Sequence, residues 1–222
     1  MQAIVITGGS IDDKFTLDFI DKTPYDILIA VDKGLLFFEG KQLNPHYIIG
    51  DFDSVPKKIL DKYRKNPHVE IQEYQPQKDE TDTELAVMLA LLKGCKNIFL
   101  LGATGTRLDH VMGNIELLGL GFKHQAECVI LDPYNKIRLI KERMIIKADE
   151  QFGDYVSLIP YTQTVTGLTL EGFLYPLKDY TMNSFYMEDR NTISAVSNVI
   201  VAQEGIISFK EGILLVIEAK DK

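Results

Sequence analysis

At 222 residues the chain suffices for one large domain or two modest ones, and a 45% hydrophobic, 25% charged composition is that of an ordinary globular protein. A formal net charge of -8, with no cluster of lysine or arginine, argues against a nucleic-acid-binding surface. No apolar run is long enough for a bilayer, and Met1–Gly9 lacks the charged and apolar regions of a secretory signal. Cys95 and Cys128 have no metal-ligand spacing, so the expected setting is a reducing cytoplasm.

The first half alternates between strand and helix patterns. Ala3–Thr7 reads as a strand and Lys14–Ile20 as a short amphipathic helix. Asp26–Val31 is a second strand that ends at Asp32-Lys33-Gly34, followed by an apolar turn or helix at Leu35–Phe38. Tyr47–Ile49 is a third strand. Pro56–Arg64 can begin a helix because proline is tolerated at its first position, and Val69–Tyr74 alternates like a strand until Pro76 stops it. Asp82–Lys93 is the clearest helix. Thr81 and Glu84 form a capping-box pattern, Leu85, Met88, Leu89 and Leu92 recur at helical spacing, and Gly94 ends it. A strand at Asn97–Leu101, a helix at about Asp109–Leu118 and a strand at Cys128–Leu131 complete a mostly parallel α/β domain.

The pattern changes near Asp132–Asn135, where a domain boundary is expected, giving domains 1–133 and 134–222. Short runs then recur at Lys136–Ile140, Arg143–Lys147, Tyr155–Ile159, Val165–Leu170, Asn191–Ala195, Val199–Ala202, Ile206–Phe209 and Ile213–Ala219. Turn signals such as Gly153-Asp154, Glu204-Gly205 and Glu211-Gly212 separate many of them. Together they predict an all-β antiparallel sandwich of jelly-roll-like form.

Three polar loops lie between a predicted strand and a predicted helix. In Gly50-Asp51-Phe52-Asp53-Ser54, two carboxylates emerge at the carboxyl end of a strand, where open α/β sheets bind ligands. Paired oxygen ligands of this kind suit Mg2+. Asp and Ser are also common turn formers, so the loop alone fits either reading. Lys78-Asp79-Glu80-Thr81-Asp82 carries more acids than a helix cap requires. With Asp51 and Asp53, Asp79 and Asp82 would form a cluster that is costly unless a cation neutralises it. Gly102 through Arg107 offers glycines, backbone N–H groups and a helix N-terminus to a phosphate, with Arg107 able to grip it as a fork. It is neither a Walker A loop nor a dinucleotide fingerprint. Asp32 ends a strand as Asp51 does and can face the same crevice or simply be a solvated turn residue. His110 reads as a surface residue, and His46, His68 and His124 have no assigned role.

Taken together, these loops and the late Ser197-Asn198 make the chain resemble the thiamine pyrophosphokinases, from its first strand through the change to all-β structure. The resemblance implies an N-terminal domain that binds ATP, a C-terminal sandwich that helps bind thiamine, and a homodimer with active sites between subunits. It also implies Mg2+-dependent attack of the thiamine hydroxyl on the β-phosphorus of ATP, with AMP leaving. By matching position, Asp51, Asp53 and Asp82 would hold Mg2+, and Asp79 would order that cluster or assist the hydroxyl. Asp32, Thr81, Arg107 and Asp109 would serve the nucleotide, and Ser197 and Asn198 the thiamine. Two positions depart from the family's glycine pairs: Lys33 follows the strand-end acid, and Thr106 precedes the arginine. With no tryptophan in the chain, stacking on thiamine would fall to Tyr175 or Phe185. Two other readings are a phosphatase of the haloacid dehalogenase type, whose Asp-x-Asp motif Asp51-Phe52-Asp53 mimics, and a non-catalytic nucleotide- or thiamine-binding regulator.

Overall fold

Runs of Ile, Val and Leu in the first half become strands because branched side chains pack well on a pleated surface. In the computed structural model, which describes residues 1–75, 77, 79–184 and 194–222, the chain divides into two compact units, Met1–Pro133 and Tyr134–Lys222. The strands of the first unit are β1 (Gln2–Ile6), β2 (Ile27–Val31), β3 (Tyr47–Gly50), β4 (Glu70–Glu73), β5 (Asn97–Leu101) and β6 (Glu127–Leu131). They pair in parallel in the order β4-β3-β2-β1-β5-β6. β2 is buried along its whole length, as expected of a parallel strand covered on both faces.

The connections are α1 (Asp13–Lys22), a 3-10 helix (Asp32–Phe38), α2 (Lys57–Arg64), α3 (Asp82–Leu92) and α4 (Leu108–Lys123). Asp12 caps α1 by accepting the Phe15 N–H at 2.8 Å, and Thr81 caps α3 by accepting the Glu84 N–H at 3.2 Å. β1 pairs with both β2 and β5, so the strand order reverses there. Such a reversal opens a crevice at the carboxyl ends of the strands, the usual ligand site of an open α/β sheet.

Three local expectations are corrected. α2 starts at Lys57, with Pro56 at the capping position rather than in the first turn, and no side chain caps it. The core face of α3 is Ala86, Val87, Leu89 and Ala90, whereas Met88 and Leu92 are exposed. Alanines let this helix approach the sheet closely, and that overrides the pattern of its larger side chains. α4 runs past Leu118 through Gly119 and Gly121 to Lys123. Helix-breaking propensity loses to packing here, because a Cβ on Gly121 would meet Cys128 Sγ on β6 at 2.2 Å.

In the second unit the strands are β7 (Asn135–Ile140), β8 (Met144–Lys147), β9 (Tyr155–Pro160), β10 (Thr164–Glu171), β11 (Leu177–Asn183), β12 (Glu204–Ser208) and β13 (Leu214–Ala219). β13 pairs antiparallel with β7 and β9, while β10 and β12 pair antiparallel with each other, with β11 beside β10 and β8 beside β12. Val156, Leu158, Val165, Leu168, Ile207, Leu214 and Val216, drawn from both sets of strands, share one apolar core. Buried Glu218 on β13 is held by the Arg138 guanidinium at 2.6 Å and by the Phe152 N–H at 3.0 Å, so no lone charge is left in that core.

Val199–Ala202 is not a strand among the described residues; Ile200 makes only an isolated bridge to Phe173. Of Asn191–Ala195, residues 191–193 lie outside the described residues. β11, which was not expected, is a polar edge strand that pairs only with β10 among the described residues.

Gly121→Ala tests the α4–β6 approach. In a free helix the change is favourable, but here it should destabilise the protein by about 1–3 kcal/mol through overpacking. Adding Cys128→Ala should restore most of that loss, as read from urea unfolding midpoints.

Candidate functional site

The carboxyl ends of β2 and β3 bring acids together by removing side-chain bulk between them. Asp32 follows β2 with φ 45, a left-handed turn. Its Oδ1 occupies space that exists only because residue 50 is glycine, since a Cβ there would lie 2.0 Å from it. Asp51 follows Gly50, and Phe52, also left-handed at φ 60, tucks its ring into the core. The Asp51 Oδ1 accepts the Asp53 N–H at 3.1 Å, which closes a tight turn. Asp82 reaches Asp32 from the first turn of α3.

Electrostatics record this crowding. Burial, a hydrogen bond with Asp82, and the charges of Asp82 and Asp51 push the Asp32 carboxyl up to about 7, against the lowering effect of the Phe52 N–H. Two carboxylates this close share a proton more easily than they bear two charges. Asp32 Oδ1 is buried with no hydrogen-bond partner among the described residues. A hard cation would satisfy that oxygen and relieve the repulsion, so the donor set fits Mg2+. Among the described residues no three His, Cys, Asp or Glu side chains are already gathered around a metal position.

On the other side of β1, two glycine-bearing loops brace each other. The Gly9 and Ser10 N–H groups donate to the Gly102 and Thr104 carbonyls at 2.8 and 2.7 Å, and the Thr7 hydroxyl donates to the Gly102 carbonyl. A Cβ on Gly9 would lie 2.3 Å from the Gly102 oxygen, so only glycine fits. Asn114 Nδ2 donates to the Ala103 carbonyl at 2.8 Å, and the Thr104 hydroxyl donates to Asp132 at 2.8 Å. The loop carbonyls are thus taken, while Arg107 caps α4 without a side-chain hydrogen bond to its first turn. That leaves the positive end of the helix toward solvent, a setting suited to an anion. The Arg107 fork grips exposed Asp109, with Nε 3.2 Å from Oδ1. Its hydrogen bonds hold the Asp109 carboxyl down at about 2.

Asp32, Asp51 and Asp82 therefore meet, and Arg107 meets Asp109. Asp53 is exposed, contributes its backbone N–H to the turn, and is not among the groups that perturb Asp32. Asp79 is exposed, and Lys78 lies outside the described residues. Thr81 uses its hydroxyl oxygen as the α3 cap. Gly8-Gly9-Ser10, absent from the expected site, carries a signal in the sequence: glycine shortly after an apolar strand, as at Gly102.

In the second unit, Asn198 is buried and its amide is engaged through both its oxygen and its nitrogen. Its Oδ1 accepts the Tyr175 N–H at 3.0 Å and the Val199 N–H at 2.9 Å, and its Nδ2 donates to the Tyr175 carbonyl at 2.8 Å. Ser197 is exposed at φ 58, and its N–H donates to Ser157 Oγ at 3.0 Å. Tyr175 is 65% exposed, so the Asn198 clamp presents an aromatic ring to solvent. Phe185 lies outside the described residues.

A parallel α/β unit with acids and glycine loops at its switch point is the arrangement in which open α/β sheets bind their ligands, and here an antiparallel β unit follows it. The family model of the thiamin pyrophosphokinase catalytic domain matches residues 22–130, and that of the vitamin B1 binding domain matches residues 143–214. A thiamine pyrophosphokinase of Bacillus subtilis is 33% identical over 200 residues, 89% of each chain. A crystal structure of the Bacillus subtilis thiamine pyrophosphokinase superposes with a TM-score of 0.85 at 30% identity, covering 100% of both chains. One from Geobacillus thermodenitrificans gives 0.82 at 31% identity, covering 100% of this chain and 99% of that one. The chain belongs to the thiamin pyrophosphokinase family.

Two measurements check the site. Between the ordinary carboxylate value of 3.8 and about 7, folded Asp32 keeps a proton that the unfolded chain releases. In chelator, stability should therefore fall as pH rises through that window and level off above it. Asp32→Asn should lack this component, which the difference between the two urea midpoint profiles isolates. Asn198→Ala should cost about 2–4 kcal/mol in the same assay, because it strands buried backbone groups.

Proposed function

We propose that this protein transfers the pyrophosphoryl group of ATP to the hydroxyl of thiamine, giving thiamine diphosphate and AMP. The observation that carries the reading is the meeting of Asp32, Asp51 and Asp82 at the carboxyl ends of β2 and β3, in a chain that matches both family domains. Asp51, Asp53 and Asp82, with Asp32 beside them, hold Mg2+. The ion supplies neutralisation of phosphate charge, the main requirement of phosphoryl-type transfer. The bracing of Gly9 and Ser10 against Gly102–Thr104 fixes the backbone against which phosphates lie. Arg107 exchanges part of its hold on Asp109 for phosphate oxygens, while Thr81 and Asp109 line the nucleotide. Asp79 orders the acids or takes the proton of the attacking hydroxyl. As that oxygen bonds the β-phosphorus, the bond from the β-phosphorus to the α–β bridging oxygen breaks, and AMP carries the electron pair away.

Residues 134–222 form the thiamine-binding part, which we read as a sandwich of jelly-roll-like form. Ser197 lines the pocket, and Asn198 serves it by holding Tyr175. We further read the protein as a homodimer with active sites between subunits; exposed Leu108 and Met112 on α4 support a partner for that helix. A cytoplasmic setting suits Cys95 and Cys128, which are both free. No helix among the described residues is long and apolar enough to cross a membrane. The phosphatase reading has less support, because Asp51-Phe52-Asp53 follows the third strand, whereas that motif normally follows the first.

Incubation with ATP and Mg2+, with and without thiamine, tests the assignment through the nucleotide released. Thiamine-dependent AMP is expected; ADP would overturn attack at the β-phosphorus, and no turnover would overturn the enzyme reading. Asp82→Asn should lower kcat by about a hundredfold or more while thiamine still binds.

A further inference from the structure

We propose that the Lys33 ammonium binds the β- and γ-phosphates of the donor nucleotide, and is thereby the side chain that separates an incoming triphosphate from the departing monophosphate. The inference rests on the proposed pyrophosphoryl transfer and adds a residue to its site. Lys33 is the second residue of the 3-10 helix after β2, and β2 lies between β1 and β3. On the β1 side, a Cβ added to Gly8 would lie 3.2 Å from the Lys33 Cβ, so the lysine stem starts against the glycine loop. On the β3 side is Asp32, with its Oδ1 in the space left by Gly50. Lys33 thus stands between the braced glycine loops and the acid cluster, the two features that a bound triphosphate has to join.

Charge gives the position its meaning. Asp32, Asp51 and Asp82 already repel one another, and a triphosphate adds further negative charge to the same crevice. Arg107, the cation expected there, is held by Asp109. Lys33 is exposed and makes no ion pair among the described residues. It does not offset Asp32 either, since the groups acting on that carboxyl are Asp82, Asp51 and the Phe52 N–H. An uncommitted ammonium on a flexible stem is a good phosphate ligand, able to follow charge as it moves during transfer. Glycine at position 8 leaves its approach open.

Calorimetric titration tests this without turnover. Wild type, Lys33→Met and Lys33→Arg are each titrated with AMP and with an ATP analogue bearing a methylene between the α- and β-phosphorus, in Mg2+. Lys33→Met should weaken the analogue roughly ten- to hundredfold and change AMP by less than about twofold, with Lys33→Arg recovering most of the loss. Unchanged analogue affinity would overturn the proposal and make Lys33 a solvated surface residue. Equal losses for analogue and AMP would overturn the β,γ assignment and put the contact at the α-phosphate. If wild type binds the analogue but releases no AMP from ATP in the presence of thiamine, the transfer reading fails, while the comparison of the two nucleotides still decides Lys33. Thermal melts of the variants, expected to match wild type because the side chain is exposed, exclude misfolding as the cause.

Discussion

Repulsion among carboxylates is the constraint around which the first unit is arranged. Asp32, Asp51 and Asp82 come from three separate segments, and Asp32 is held in a burial and a field of charge that raise its carboxyl well above the ordinary range. The cost falls on Asp32, whose carboxyl is pushed up to about 7 by burial, by its hydrogen bond with Asp82 and by the neighbouring charges. A structure selected for stability alone would separate these groups. Their convergence is a strain that a bound, charged ligand relieves, and this is how a fold directs binding energy toward one class of partner.

Glycine makes the crowding possible. Gly50 leaves room for Asp32, Gly34 passes so close to β1 that a Cβ would meet the Ile6 carbonyl, and Gly9 does the same against Gly102. At each place, backbone or carboxylate takes up volume that a side chain would fill. The resulting floor under the crevice is made largely of main chain, and its rigidity comes from hydrogen bonds between the loops after β1 and β5.

The sequence disclosed most of this because its signals are local. Apolar pentapeptides gave β1, β2 and β5; acids at strand ends gave Asp32 and Asp51; and the capping pattern at Thr81 located α3. It failed where tertiary packing overrode local preference. The helix expected to stop near Leu118 continues to Lys123, and Gly121 within that extension is a helix-to-strand contact. Leu177–Asn183 is too polar to read as a strand because it lies at an edge and faces solvent. Between Asp51 and exposed Asp53 the chain turns through the left-handed Phe52, whose torsion has no signature in composition. The hold of the Asn198 amide on the main chain of Tyr175 is a tertiary contact that no local pattern announces.

That clamp has a consequence for how the β unit can change. Asn198 reaches residue 175 only through its N–H and carbonyl, groups that every amino acid except proline carries. Anchoring and chemistry are therefore written at separate positions. The ring at 175 can be exchanged for another side chain while the segment that carries it stays in register, so a lineage, or an engineer, can vary the exposed surface at 175 one substitution at a time without rebuilding the frame.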